Sequence, residues 1–150
     1  MSEEKIDQDQ RFMKMAMQEA QVAYEADEVP IGAIVVSKGR VIGRAYNLTE
    51  RLTDVTAHAE MQAITSAAAY LGGKYLDECT MYVTMEPCVM CAGALSHAHL
   101  GRLVYGASDP KHGFSRYEKM LHPKTKVRSG VQADDCSSLI RKFFREKRKV

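Results

Sequence analysis

Segments with the spacing of a helix alternate with short β-branched runs along this chain, and that alternation restricts it to helices packed on a sheet. Over residues 8–26, Phe12, Ala16, Ala20 and Ala23 recur at helical intervals, with Met13 and Met17 beside them. Glu28-Val29-Pro30 breaks the pattern, because the residue before a proline is pushed out of the helical region. The run IGAIVV (31–36) reads as a strand, and SKGR can turn it back into VIGRAY (41–46) as a hairpin. A polar loop, 47–56, leads to Thr56, the expected N-cap of a helix from Ala57. Met61, Ile64, Ala68 and Leu71 are its expected apolar stripe, and Gly72-Gly73 its end. TMYVTM (80–85) is the next strand, a small-residue helix runs from about 88 to 98, and RLVYGA (102–107) is another strand. After a polar loop from 108 to about 124 come a short strand near 126–131 and a last helix over 133–148. On that helix Cys136, Ile140 and Phe144 share one face, with Leu139 and Phe143 alongside. The order predicts an α/β fold, a three-layer α/β/α sandwich around one mixed sheet of about five strands.

The 150 residues suit a single domain, 1–150, with residues 1–7 as an expected flexible tail. Hydrophobic residues make up 45%, enough for a packed core, which excludes a largely disordered chain. No run of eighteen or more apolar residues occurs, so no membrane span is expected. MSEEKIDQDQ lacks the apolar centre of a signal peptide, so a cytoplasmic protein is expected. Thiols stay reduced there, and a Cys-x-x-Cys pair then points to metal binding or catalysis rather than to a disulfide. The net charge of +2 is unevenly placed: residues 1–28 carry a net −5, which leaves +7 for the rest. The end, IRKFFREKRKV, sets six bases against Glu146. Bases at a helix end suit the macrodipole, and they also suit a polyanionic partner.

Zinc sites closed by four protein ligands are structural, whereas catalytic sites keep three and leave a place for water. Cys88 and Cys91 offer two ligands, and their spacing puts both sulfurs over the first turn of one helix, where backbone N–H groups favour thiolate. His58 is the strongest candidate for a third, since it also stands where a loop enters a helix. Two helix starts could then converge on one ion. His97, His99, His112 and His122 read as surface or capping residues, and Cys79 and Cys136 as small buried hydrophobes. Glu60 separates a catalytic site from a structural one. Activated water needs a base and a leaving amine needs an acid, and a carboxyl group beside the metal but not ligating it can serve as both. A glutamate two residues after a histidine means little alone; His58-Ala59-Glu60 together with Pro87-Cys88-Val89-Met90-Cys91 is a specific compound pattern.

At these residues the chain resembles the zinc-dependent nucleobase deaminases. Among them it is most similar to the bacterial tRNA-specific adenosine deaminases, which convert the anticodon wobble adenosine to inosine. EVPIGAIVV (28–36), AYN ending at Asn47, TAHAEMQAI (56–64), MYVTMEPCVMCAGAL (81–95), GASDPKHG (106–113) and FFREKR (143–148) carry the likeness. The resemblance implies a cytidine deaminase-like sandwich, a homodimer, and one Zn2+ per chain held by His58, Cys88 and Cys91, with Glu60 as proton shuttle. It further implies that Asn47 contacts the target nucleoside, that Val29 and Pro30 wall the base pocket, and that Asp109 and Lys111 lie near the RNA. Arg141, Lys142, Arg145, Lys147 and Arg148, on the basic last helix, would help hold a tRNA anticodon stem-loop. One stretch departs from the pattern. FSRYEKMLHPKTKVRSGV (114–131) is shorter than its counterpart in many relatives and lacks their Asn-His pair. Loops choose partners while the metal site chooses the chemistry, so this departure bears on the substrate.

A deaminase of free bases or nucleosides (guanine, cytosine or cytidine) would share every metal residue; the basic last helix and PCVMCAGA favour the tRNA enzyme. A non-catalytic zinc module that binds RNA needs a fourth protein ligand and gives Glu60 no task, and a redox pair leaves His58 and Glu60 unexplained.

Overall fold

The computed structural model describes residues 3–148, and residues 3–7 by their backbone alone. The chain forms α1 (Glu3–Glu25), β1 (Gly32–Ser37), β2 (Arg40–Tyr46), α2 (Ala59–Leu71), β3 (Cys79–Met85), α3 (Val89–His97), β4 (Arg102–Ala107), a 3-10 turn (Phe114–Arg116), β5 (Lys126–Arg128) and α4 (Ala133–Arg148). The first helix starts at Glu3, so the tail expected over 1–7 is helical from residue 3, and Met1 and Ser2 lie outside the described residues. The acids at the front of the sequence suit the positive end of a helix.

The five strands lie in the order β2-β1-β3-β4-β5. β1 runs antiparallel to β2 and β3, while β3, β4 and β5 are parallel, so the sheet is mixed as expected. Side chains alternate across the strands. Ile34, Val36, Tyr82 and Val104 pack on Phe12, Met13 and Ala16 of α1 and Cys136 of α4. The opposite face, with Ala33, Val35, Met81, Val83 and Leu103, packs on Ala59, Ala63 and Ala67 of α2 and on Ala92 and Leu95 of α3. Two helices on each face make the three layers. Among the described residues, no helix is long and apolar enough to cross a membrane.

Two faces differ from expectation. On α2 the buried residues are Ala59, Glu60, Ala63 and Ala67, not the bulky stripe: Met61, Ile64 and Ala68 are half-buried and Leu71 is exposed. The cause is close approach. A Cβ on Gly43 of β2 would come within 3.1 Å of the Ala63 carbonyl oxygen and the Ala67 amide nitrogen, so only alanine-sized side chains fit between helix and sheet. On α4 it is Phe143 that is buried with Cys136 and Ile140, and Phe144 turns outward.

One buried carboxylate joins the first helix to the far half of the sheet. Asp9 of α1 is 0% exposed. It accepts hydrogen bonds from the Tyr82 hydroxyl (2.8 Å), from both Arg102 Nη atoms (2.8 and 2.7 Å) and from Arg128 Nη1 (2.6 Å). Burial alone would push its carboxyl up, but the bonds from Arg102, Tyr82 and Arg128 outweigh burial and hold it below the usual carboxylate range. A depressed folded-state value gives stability that is present above the unfolded pKa and lost as pH falls through the folded one. Asp9→Asn is therefore expected to cost about 3–5 kcal/mol at neutral pH, since it leaves two arginines facing a neutral amide. Urea unfolding checks this, and the gap to the unsubstituted protein should begin to narrow near about pH 4, where Asp9 of the unfolded chain protonates, and go on narrowing until pH passes the lower folded value. Equal stability at pH 7 would contradict the role.

Candidate metal centre

Two chain entries bring the site together. Leu48 N–H bonds the Ala57 carbonyl (3.0 Å), and the Gln62 side chain bridges the carbonyls of Tyr46 (3.0 Å) and Ala57 (3.2 Å), fixing the start of α2 against the end of β2. The N-cap of α2 is His58, in extended conformation (φ −71°, ψ 154°) with no side-chain cap bond, which leaves its imidazole free to point elsewhere. Thr56, the expected N-cap, instead gives its amide and hydroxyl to Asp54 Oδ1 (2.8 and 2.7 Å). On the other side β3 ends at Met85 and passes through Glu86 and Pro87 to Cys88, the extended N-cap of α3. Cys91 sits buried in the first turn of that helix.

His58 Nδ1 lies 3.7 Å from Cys88 Sγ and 3.5 Å from Cys91 Sγ. The three ligand atoms are all within 4.8 Å of one another. Zinc bonds of about 2.3 Å to sulfur and about 2.0 Å to nitrogen, at tetrahedral angles, place sulfur and nitrogen about 3.6 Å apart. The observed separations match that edge length, so the three side chains fit one zinc ion through the Nδ1 atom. All four cysteines are free thiols, with Cys79 and Cys136 buried as expected.

The electrostatics fit the same reading. The bond from the Cys91 thiol, with help from His58, holds Cys88 down to about 3, and the bond to Cys88 raises the His58 imidazole. Cys91 is pushed up by that same bond and by burial, so the two thiols titrate as a pair that shares a proton between them. Glu60, in the first turn of α2, is 4% exposed, and its Oε1 has no hydrogen-bond partner among the described residues. Burial pushes its carboxyl up to about 7. A buried oxygen without a partner is costly, and here it is kept beside the donor cluster. A carboxyl poised near neutrality can both take and give a proton.

A groove of about 500 Å³, lined by Thr49, Glu50, Thr53, Asp54, Val55 and His58, opens onto the imidazole. Asn47 is buried at the end of β2, and its N–H bonds the Ile31 carbonyl (3.1 Å), next to buried Pro30. Val29 lines a second groove, about 740 Å³, shared with Arg51 and with Phe143, Phe144 and Lys147 of α4. Gly113 forms an isolated bridge with Cys88, which sets the loop of Asp109 and Lys111 against the start of α3. Arg141, Lys142, Arg145, Lys147 and Arg148 are all exposed; Lys147 pairs with Asp27, and Lys142 lies over the Tyr24 ring. Another cavity, about 820 Å³, lies at the other end of the sheet, where β3 and β4 begin, and touches none of these residues.

Sequence reasoning gave no site role to two buried carboxyl groups. Glu28 accepts the amides of Glu50 (3.0 Å) and Arg51 (2.7 Å), holding the groove loop. Glu86 accepts the amides of Asp109 (3.0 Å) and Ser115 (2.9 Å). Each acid stands just outside an apolar strand and next to, or two before, a proline, which is the one trace they leave in the sequence.

The family model of the MafB19-like deaminases matches residues 7–148. A tRNA-specific adenosine deaminase of Agrobacterium fabrum is 48% identical over 145 residues, covering 91% of this chain and 94% of that protein. A structure from a study of A-to-I editing by tRNA:A34 deaminases at the wobble position of transfer RNA superposes with a TM-score of 0.80 at 45% identity, over 86% of this chain and 98% of that one. A guanine deaminase of Bacillus subtilis is 35% identical, with a TM-score of 0.62 over 72% of this chain and 66% of that one. With a ligand set that fits one zinc ion and a buried carboxyl beside it, the chain belongs to the zinc-dependent deaminases, and within them to the family of the bacterial tRNA-specific adenosine deaminases.

Proposed function

We propose that this protein hydrolytically deaminates the wobble adenosine of a tRNA anticodon to inosine. The observation that carries the reading is 48% identity over nearly the whole length of a tRNA-specific adenosine deaminase, against 35% for the guanine deaminase. His58, Cys88 and Cys91 hold the metal in this reading. Zinc held there would make water acidic enough to act as a nucleophile at neutral pH. Glu60 takes a proton from that water and gives it to N1 of adenine. The water oxygen bonds to C6, Glu60 takes the second proton from that oxygen and gives it to the amine, and the C6–N bond breaks to leave ammonia and the C6 carbonyl of inosine. Asn47 contacts the nucleoside, Val29 and Pro30 wall the base, and Asp109 and Lys111 meet the flanking RNA. An anticodon loop is single-stranded already, so turning the base into the site costs little. The half-buried Met61, Ile64 and Ala68 with exposed Leu71 supply an apolar strip that suits a homodimer.

The five bases of α4 hold the phosphates of the anticodon stem-loop in this reading. Activity on a stem-loop is then expected to fall steeply with added salt, because bound phosphates release counterions. Neutralising Arg141, Lys142, Arg145, Lys147 and Arg148 together should raise KM for RNA and flatten the salt dependence, with kcat little changed. RNA kinetics indifferent to both salt and these charges would contradict the reading.

A further inference from the structure

The carboxyl group of Glu86 is the centre of the loop that follows β4. It is 5% exposed, and each of its oxygens accepts one backbone amide: Oε1 that of Asp109 at 3.0 Å, Oε2 that of Ser115 at 2.9 Å. The Glu86 amide bonds the Ala107 carbonyl (2.8 Å), and Phe114 N–H bonds the Pro87 carbonyl (3.0 Å). Gly113 lies so close that a Cβ there would meet the Glu86 carboxyl at 2.3 Å. Asp109 in turn accepts the amides of Lys111 and His112, both at 3.1 Å. The segment from Ala107 to Ser115 is thus wrapped around one side chain. That side chain stands two residues before Cys88, on the stretch that delivers α3 to the metal centre.

We propose that Glu86 is a positioning residue that sets where the loop of Asp109 and Lys111 meets the RNA relative to the metal centre. The proposal rests on the RNA reading of the site for its kinetic consequence, but not for its structural one. Only a group with two acceptors can hold both amides. The amide of glutamine has one acceptor and would turn an N–H toward the other donor. The geometry also accounts for the glycine at 113, where any side chain would displace the carboxyl group.

Glu86→Gln tests this, with zinc content, amide hydrogen exchange and kinetics read on the same preparation. Exchange at the amides of Asp109 and Ser115 should quicken by about tenfold or more, since a buried bond to a charged acceptor is lost at one of them and strained at the other. Zinc stoichiometry should stay at that of the unsubstituted protein. KM for a stem-loop should rise about tenfold while kcat falls far less, because the chemistry is intact and the RNA contact is misplaced. Gly113→Ala should give the same pattern, and the double variant little more than either alone, as expected of groups that act through one contact. Unchanged exchange at 109 and 115 would overturn the proposal. So would a loss of zinc and kcat at constant KM, which would mean that Glu86 serves the α3 entry alone. If the unsubstituted protein does not turn over a stem-loop, the RNA reading fails, while the exchange result decides the hold on the loop by itself.

Discussion

Glu60→Ala is expected to keep its zinc and its fold, still to bind RNA, and to lose turnover by about 10³–10⁴-fold or more. Proton transfer by one placed side chain is worth roughly 10²–10⁴-fold, and this carboxyl serves more than one step. Its burial and its oxygen without a partner show that the fold holds it there at a cost to stability, and removing it should cost the fold little. Stopped ammonia assays, with metal content measured alongside, check the expectation. Loss of zinc from this variant would make Glu60 a structural group, and retained activity would remove it from the chemistry.

Cys88→Ala should behave differently. It takes away one of three ligands whose spacing matches a zinc tetrahedron, so metal content, activity and melting temperature should fall together. In the metal-free cluster the Cys88–Cys91 contact raises the Cys91 thiol and the His58 imidazole is raised too, whereas ligation needs thiolates and a neutral imidazole. Zinc uptake should therefore release protons, and affinity should weaken as pH falls. Calorimetry in buffers of different ionisation enthalpy reads that release directly. A Cys88→Ala protein that keeps full zinc and full activity would contradict the ligand assignment.

The order of elements and the ligand set were legible because each rests on a local pattern. Period-two and helical spacing mark the strands and helices, and a histidine and two cysteines at helix starts mark the converging ligands. What the pattern hides is which face turns inward when the helix lies close to the sheet. On α2 the bulky residues read as the core stripe, yet Gly43 brings the backbones so near that the alanines go inside. Single acids are equally opaque. Asp9, Glu28 and Glu86 look like surface charges in a chain rich in them, and only the fold brings each to its donors. The same holds for Thr56, whose sequence suits a cap but whose partner, Asp54, is two residues upstream.

The most direct measurement sets four substrates side by side: a tRNA anticodon stem-loop with adenosine at the wobble position, guanine, cytosine and cytidine, each incubated with the zinc-loaded protein. Ammonia release and product mass are read for each. The expected result is inosine in the stem-loop, with one amino group exchanged for one oxygen, and little turnover of the three small molecules. Rapid deamination of guanine, cytosine or cytidine with an unaltered stem-loop would contradict the assignment of the wobble adenosine as substrate.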